Sequence, residues 1–109
     1  MATFDGFLSE LKKEIAAYAE ASWKKYKNAA TSDGNAYVVA LEADLETWAN
    51  ELAAGELSQE DFVWLVEGKK DLAELEALKQ AGLTEARLQE FVNGLTDLVV
   101  NTAVKVFLA

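Results

Sequence analysis

The chain has 109 residues, 51% of them apolar, and carries 19 acidic against 10 basic side chains for a net charge of −9. That length supports one domain with a single core, and that acidity excludes nucleic-acid binding, which needs basic groups to neutralise phosphates. Cysteine, histidine and proline are all absent, which removes disulfides, thiolate metal sites and the commonest catalytic base, and suits long uninterrupted helices.

In chain order, the first helix is expected over about residues 6 to 29. Leu8, Leu11, Ile15, Tyr18 and Ser22 recur at steps of three and four, flanked by Ala19, Trp23 and Tyr26. "TSDGN", residues 31 to 35, is a cluster of turn formers. A second helix follows on Val38, Leu41, Leu45, Trp48 and Leu52, with Glu42, Glu46, Asn50 and Glu51 opposite. Gly55 stands where a left-handed residue closes a helix. Ser58 then caps the next one, with Asp61 three residues on, and Leu57 and Phe62 occupy staple positions. The same grammar recurs later, where Gly82 stops a helix, Thr84 caps another, and Leu83 and Leu88 form the staple.

Between those two marks lies a third segment, residues 59 to 81, with the stripe Phe62, Leu65, Gly68, Leu72, Leu75 and Leu78. Its phase holds across Gly68, which favours one continuous helix in which Gly68 admits a close neighbour; a kink or break there is the alternative, since a helix-interior glycine costs ~1 kcal/mol. The closing stretch "LVVNTAVKVFLA" alternates like a strand, and Asn93-Gly94 reads as a hairpin turn. A lone hairpin would have no sheet to join, however. Leu88, Phe91, Val92, Leu95, Leu98, Val99, Ala103 and Val106 form a helical stripe, so residues 85 to 108 read as a fourth helix. The fold class is all-α, and short connections suggest an antiparallel up-down four-helix bundle spanning residues 1 to 109, its third helix kinked or broken at Gly68 if not continuous.

Little in the chain points to chemistry. Residues 1 to 30 hold five lysines against four acids, whereas residues 31 to 109 hold five basic residues against fifteen acidic ones. From Asn28 to Gly68 there is no Lys or Arg at all. Lys24, Lys25 and Lys27 in "SWKKYKN" suit either an anion patch with stacking aromatics or, more simply, a helix C-terminus complementing the macrodipole. The acids Glu42, Asp44, Glu46, Glu51, Glu56, Glu60, Asp61 and Glu67 could face a basic partner or a divalent cation, but solvated helix faces explain them as well. "DGNAYVVALE" fails as a calcium loop at Tyr37 and Val38, and a di-metal carboxylate bundle would need histidines. No nucleophile pair or phosphate loop accompanies the Ser, Thr and Asp residues, so an enzyme is not expected, nor a cofactor or metal. Trp48 lies on a core stripe; Trp23 and Trp64 sit at stripe edges, where an aromatic is more often core rim than ligand box.

The start has no secretory pattern and no span is long enough for a bilayer, so a soluble cytoplasmic protein with no membrane partner is expected. The leading functional reading is association, as a homodimer or with another protein. It rests on Val100 and Val104, with Phe107 and Leu108 continuing the row, which widen the apolar face of the last helix beyond what one neighbour needs. The alternative is a carrier holding an apolar small molecule inside the bundle.

Overall fold

A computed structural model describes residues 3–108. Among them are five α-helices and no strand: α1 (Phe4–Ser22), α2 (Lys27–Ala53), α3 (Gln59–Glu67), α4 (Glu76–Gln80) and α5 (Glu85–Phe107). The 27 residues of α2 extend ~40 Å at 1.5 Å per residue, which matches the 42 Å long axis of the molecule. No helix is long and apolar enough to cross a membrane.

In α1, Phe7, Leu11, Ile15 and Ala19 are buried at steps of four, while Leu8 and Tyr18 stand at the rim. The Thr3 hydroxyl accepts from the Gly6 N–H at 3.0 Å and starts the helix. Its end comes earlier than the periodicity suggests. Trp23 leaves the helical conformation (φ −128°, ψ 35°) and buries its indole edge-on against Phe91, 5.4 Å between centroids. A 3₁₀ turn over Lys24–Tyr26 then reverses the chain. Burial of one large aromatic makes this corner, with no glycine or proline to announce it.

The turn expected at residues 31 to 35 does not form; α2 runs straight through it. Two of its residues have tertiary roles that override their local preference for turns. Gly34 is buried, and a Cβ there would stand 2.8 Å from Ile15 Cγ2, so this glycine lets α2 close on α1. Asp33, only 7% exposed, accepts from the Ala77 and Leu78 N–H groups at 3.1 and 2.8 Å. Its carboxylate caps α4 from another helix.

Both glycine stops are where expected. Gly55 (φ 77°) and Gly82 (φ 91°) are left-handed. Each closes the six-residue loop of a Schellman motif: Glu56 N–H donates to the Glu51 carbonyl at 2.9 Å and Leu83 N–H to that of Leu78 at 3.3 Å. Ser58 caps α3 through the Asp61 N–H at 3.1 Å, and Thr84 caps α5 through the Arg87 N–H at 3.3 Å.

Between these marks the continuous third helix is replaced by two short ones. α3 ends at Glu67, and Gly68 (φ −65°) is exposed rather than buried against a neighbour. The buried residues are Phe62 and Val66, then Leu75 and Leu78, while Leu72 is 36% exposed. Nine positions separate Val66 from Leu75, half a turn out of helical register. A 3₁₀ turn over Lys70–Leu72 and a left-handed Leu75 (φ 57°, ψ 36°) restore the phase. A side chain in that conformation costs roughly 1–2 kcal/mol, which burial of Leu75 and the Asp33 cap offset.

The closing stretch is helix. Leu95, Val99 and Ala103 are fully buried on α5. α5 lies antiparallel to α1: Phe7 meets Phe107, with centroids 5.5 Å apart, Lys105 reaches Glu10 at 3.0 Å, and the Tyr18 hydroxyl donates to the Phe91 carbonyl at 3.1 Å. Gly94, which resembled a hairpin residue, instead makes room for that phenol, since a Cβ would stand 2.8 Å from Tyr18 Cζ.

Gly34→Ala and Gly68→Ala should therefore have opposite signs in urea denaturation. The first should destabilise by about 1–3 kcal/mol through overpacking against Ile15. The second, where a Cβ meets only ordinary contacts at 3.5 Å, should stabilise by up to about 1 kcal/mol. Asp33→Ala should cost about 2–3 kcal/mol in the same assay, because one buried and one partly buried amide lose a charged acceptor.

Candidate functional site

Helical phase on α3 puts one large side chain outside. Phe62 and Val66 point inward, so Trp64, two residues from each, points away from the core and is 73% exposed. Within one helical turn of it lie Glu60, Asp61 and Glu67, all exposed. None of these three takes part in an ion pair among the described residues. The other tryptophans are used inside: Trp23 is 3% exposed and Trp48 packs against the core from its rim. Trp64 is thus an exposed indole with three acidic residues within about one turn along α3, in a stretch of chain that holds no cation between Asn28 and Gly68. Of the other acids in that stretch, Asp33 is turned inward and Asp44 pairs with Lys69 at 3.7 Å.

The four residues expected to form an association row on the last helix are placed differently. Val100 is 7% exposed and belongs to the core. Val104 and Phe107 are half-buried, packed on the core, with Phe107 against Phe7. Leu108 alone is largely outside, at 46%. The extra width of that helix is covered within the molecule, where α5 contacts both α1 and α3. Lys105, beside the row, holds the Glu10 carboxyl below the usual carboxylate range by a hydrogen bond and by its charge, and is itself raised by Glu10.

The close approaches at Gly34 and Gly94 and the stacked rings of Tyr18 and Phe91, 5.6 Å apart, fill the space between α1, α2 and α5. Burial raises the phenols of Tyr18 and Tyr37 above the ordinary tyrosine value. Among the described residues the buried Tyr37 hydroxyl lies near Thr96, whose own hydroxyl donates to the Val92 carbonyl at 2.8 Å and keeps its oxygen free to accept. No group of three or more acidic side chains able to hold a metal occurs among the described residues.

The opposite sign of charge gathers at the corner between α1 and α2. Lys24 and Lys25 are exposed on the 3₁₀ turn there, and the Arg87 guanidinium, from the first turn of α5, lies over the Trp23 ring at 4.6 Å. An open cleft of about 360 Å³ lies between this corner and the start of α5.

Periodicity could have found Trp64, because it is out of phase with Phe62 and Val66; the stripe drawn through Leu65 and Gly68 hid that. The pairing of Asp33 with α4 leaves no local signal. Compared with known protein families, curated proteins and solved structures, the chain matches none.

The placement of the row has a direct test. Val100→Glu should destabilise by about 3 kcal/mol or more, by burying a charge, whereas Leu108→Glu should stay within about 1 kcal/mol of the parent in chemical denaturation.

Proposed function

We propose that this protein acts by binding another protein, through the face of α3 that carries Trp64, and that the partner presents a basic segment. In this reading the molecule is a soluble, cytoplasmic, up-and-down bundle of four arms, with α3 and α4 together forming the third. The observation that carries it is the 73% exposure of Trp64 among three unpaired carboxylates. An exposed indole is expensive apolar surface, and tryptophan anchors interfaces more often than most residues. A Lys or Arg side chain can lie on its face while its charge meets the carboxylates, so ring and acids select the same partner chemistry. Self-association has weaker support: the charge of −9 repels a second copy, and most of the row on α5 is covered.

The test is calorimetric titration with a synthetic peptide alternating Arg and Leu, against a Glu–Leu peptide of equal length. The Arg peptide should bind, more weakly as salt rises. Trp64→Ala should lower its affinity by about tenfold or more while leaving the thermal midpoint close to the parent value, since the ring packs on nothing buried. Equal affinity for the variant, or equal binding of the Glu peptide, would overturn the proposal.

A further inference from the structure

We propose that the cleft between the α1–α2 corner and the start of α5 binds a small phosphate-bearing anion. Its walls carry Lys24, Lys25 and Arg87, together with the hydroxyl-bearing Ser22 and Thr84, and no Asp or Glu lines it. In a chain with 19 acids and 10 basic residues, three cations around one cleft without an acid is a strong local inversion of charge.

The two lysines take no part in the ion pairs of the fold, and Arg87 is held mainly by an aromatic ring. The ion pairs among the described residues involve Lys27, Lys69, Lys105 and Arg87, but neither Lys24 nor Lys25. Arg87 has one carboxylate partner, Glu90, with 3.9 Å between Nε and oxygen, at the edge of ion-pair range. What positions its guanidinium is the face of buried Trp23, 4.6 Å away. An arginine held by stacking keeps its N–H fork available for an oxyanion, and the planar fork suits phosphate. The two lysines add mobile point charges from the opposite wall.

Two further features fit a phosphate. The cleft also borders the N-terminus of α5, a 23-residue helix whose dipole favours negative charge there. At about 360 Å³ it has room for more than a lone ion, enough for a phosphate attached to a small organic group. The overall charge of −9 opposes anions only at long range; at physiological ionic strength the Debye length is about 8 Å, so groups lining the cleft dominate.

The experiment follows backbone amide shifts of the ¹⁵N-labelled full chain. It is titrated with inorganic phosphate, phenyl phosphate and acetate, with sodium chloride at matched ionic strength as reference. Saturable shifts grouped at residues 22–26 and 84–87, for phosphate and not for chloride or acetate, are expected. Tighter binding of phenyl phosphate would make a phosphomonoester the ligand; equal binding would make it free phosphate. The double variant Lys24→Gln, Lys25→Gln, altering exposed side chains only, should weaken binding by about tenfold or more with an unchanged circular dichroism spectrum. Absence of saturable shifts, shifts matched by chloride or acetate, or undiminished binding by the double variant would overturn the site. Trp64→Ala should leave these shifts intact, which separates this site from the face on α3.

Discussion

A single carboxylate ties the short α4 to the rest of the fold. Asp33 projects from α2 and accepts from the Ala77 and Leu78 amides, at the start of a helix that has no side-chain cap of its own. α4 has five residues, far too few to persist as an isolated helix in water. It is preceded by a leucine in a left-handed conformation and must still deliver Leu75 and Leu78 to the core. Without a charged acceptor, its first amides would be buried and unsatisfied. The cap lets the chain change helical phase in mid-segment and rejoin the core at Leu78.

The same interaction explains where sequence reasoning succeeded and where it failed. Both glycine-stop and hydroxyl-cap junctions were legible because every signal there is local, within six residues of chain. The last helix was legible because its stripe outlasts the competing strand pattern and because everything before it is helical. Two glycines have tertiary roles, and neither is the one the apolar stripe suggests. Gly34 sat in an apparent turn and Gly94 in an apparent hairpin, yet both receive bulky side chains, Ile15 and Tyr18. Gly68, read as the contact glycine, simply ends a helix. Local preference identifies that a position needs a glycine; only packing says why. Likewise, the corner at Trp23 depends on Phe91 and Arg87, more than sixty residues away in the chain.

Two surface regions carry opposite charge. The corner joining α1 to α2 faces the start of α5 and collects cations. α3, reached only after the full length of α2, carries Trp64 and acids. The candidate row on the last helix is plausible by width alone, but a helix packed against α1, α2 and α3 needs a wide apolar face, and Val100 shows how that width is used. Trp64 reads as core rim when the stripe is drawn through Leu65 and Gly68, whereas the buried residues of α3 are Phe62 and Val66.

The Asp33 cap also bears on the order in which the chain acquires its structure. Its two hydrogen bonds join residues 44 and 45 positions apart, so closing that loop costs chain entropy before any contact repays it. α1, α2 and α5 have long apolar stripes and can form helix early from local interactions. α4 cannot, because its nucleus is completed by a side chain that must already be held on a folded α2. In folding, α4 is therefore expected to be a dependent element, its helix forming only once α2 is in place to present Asp33.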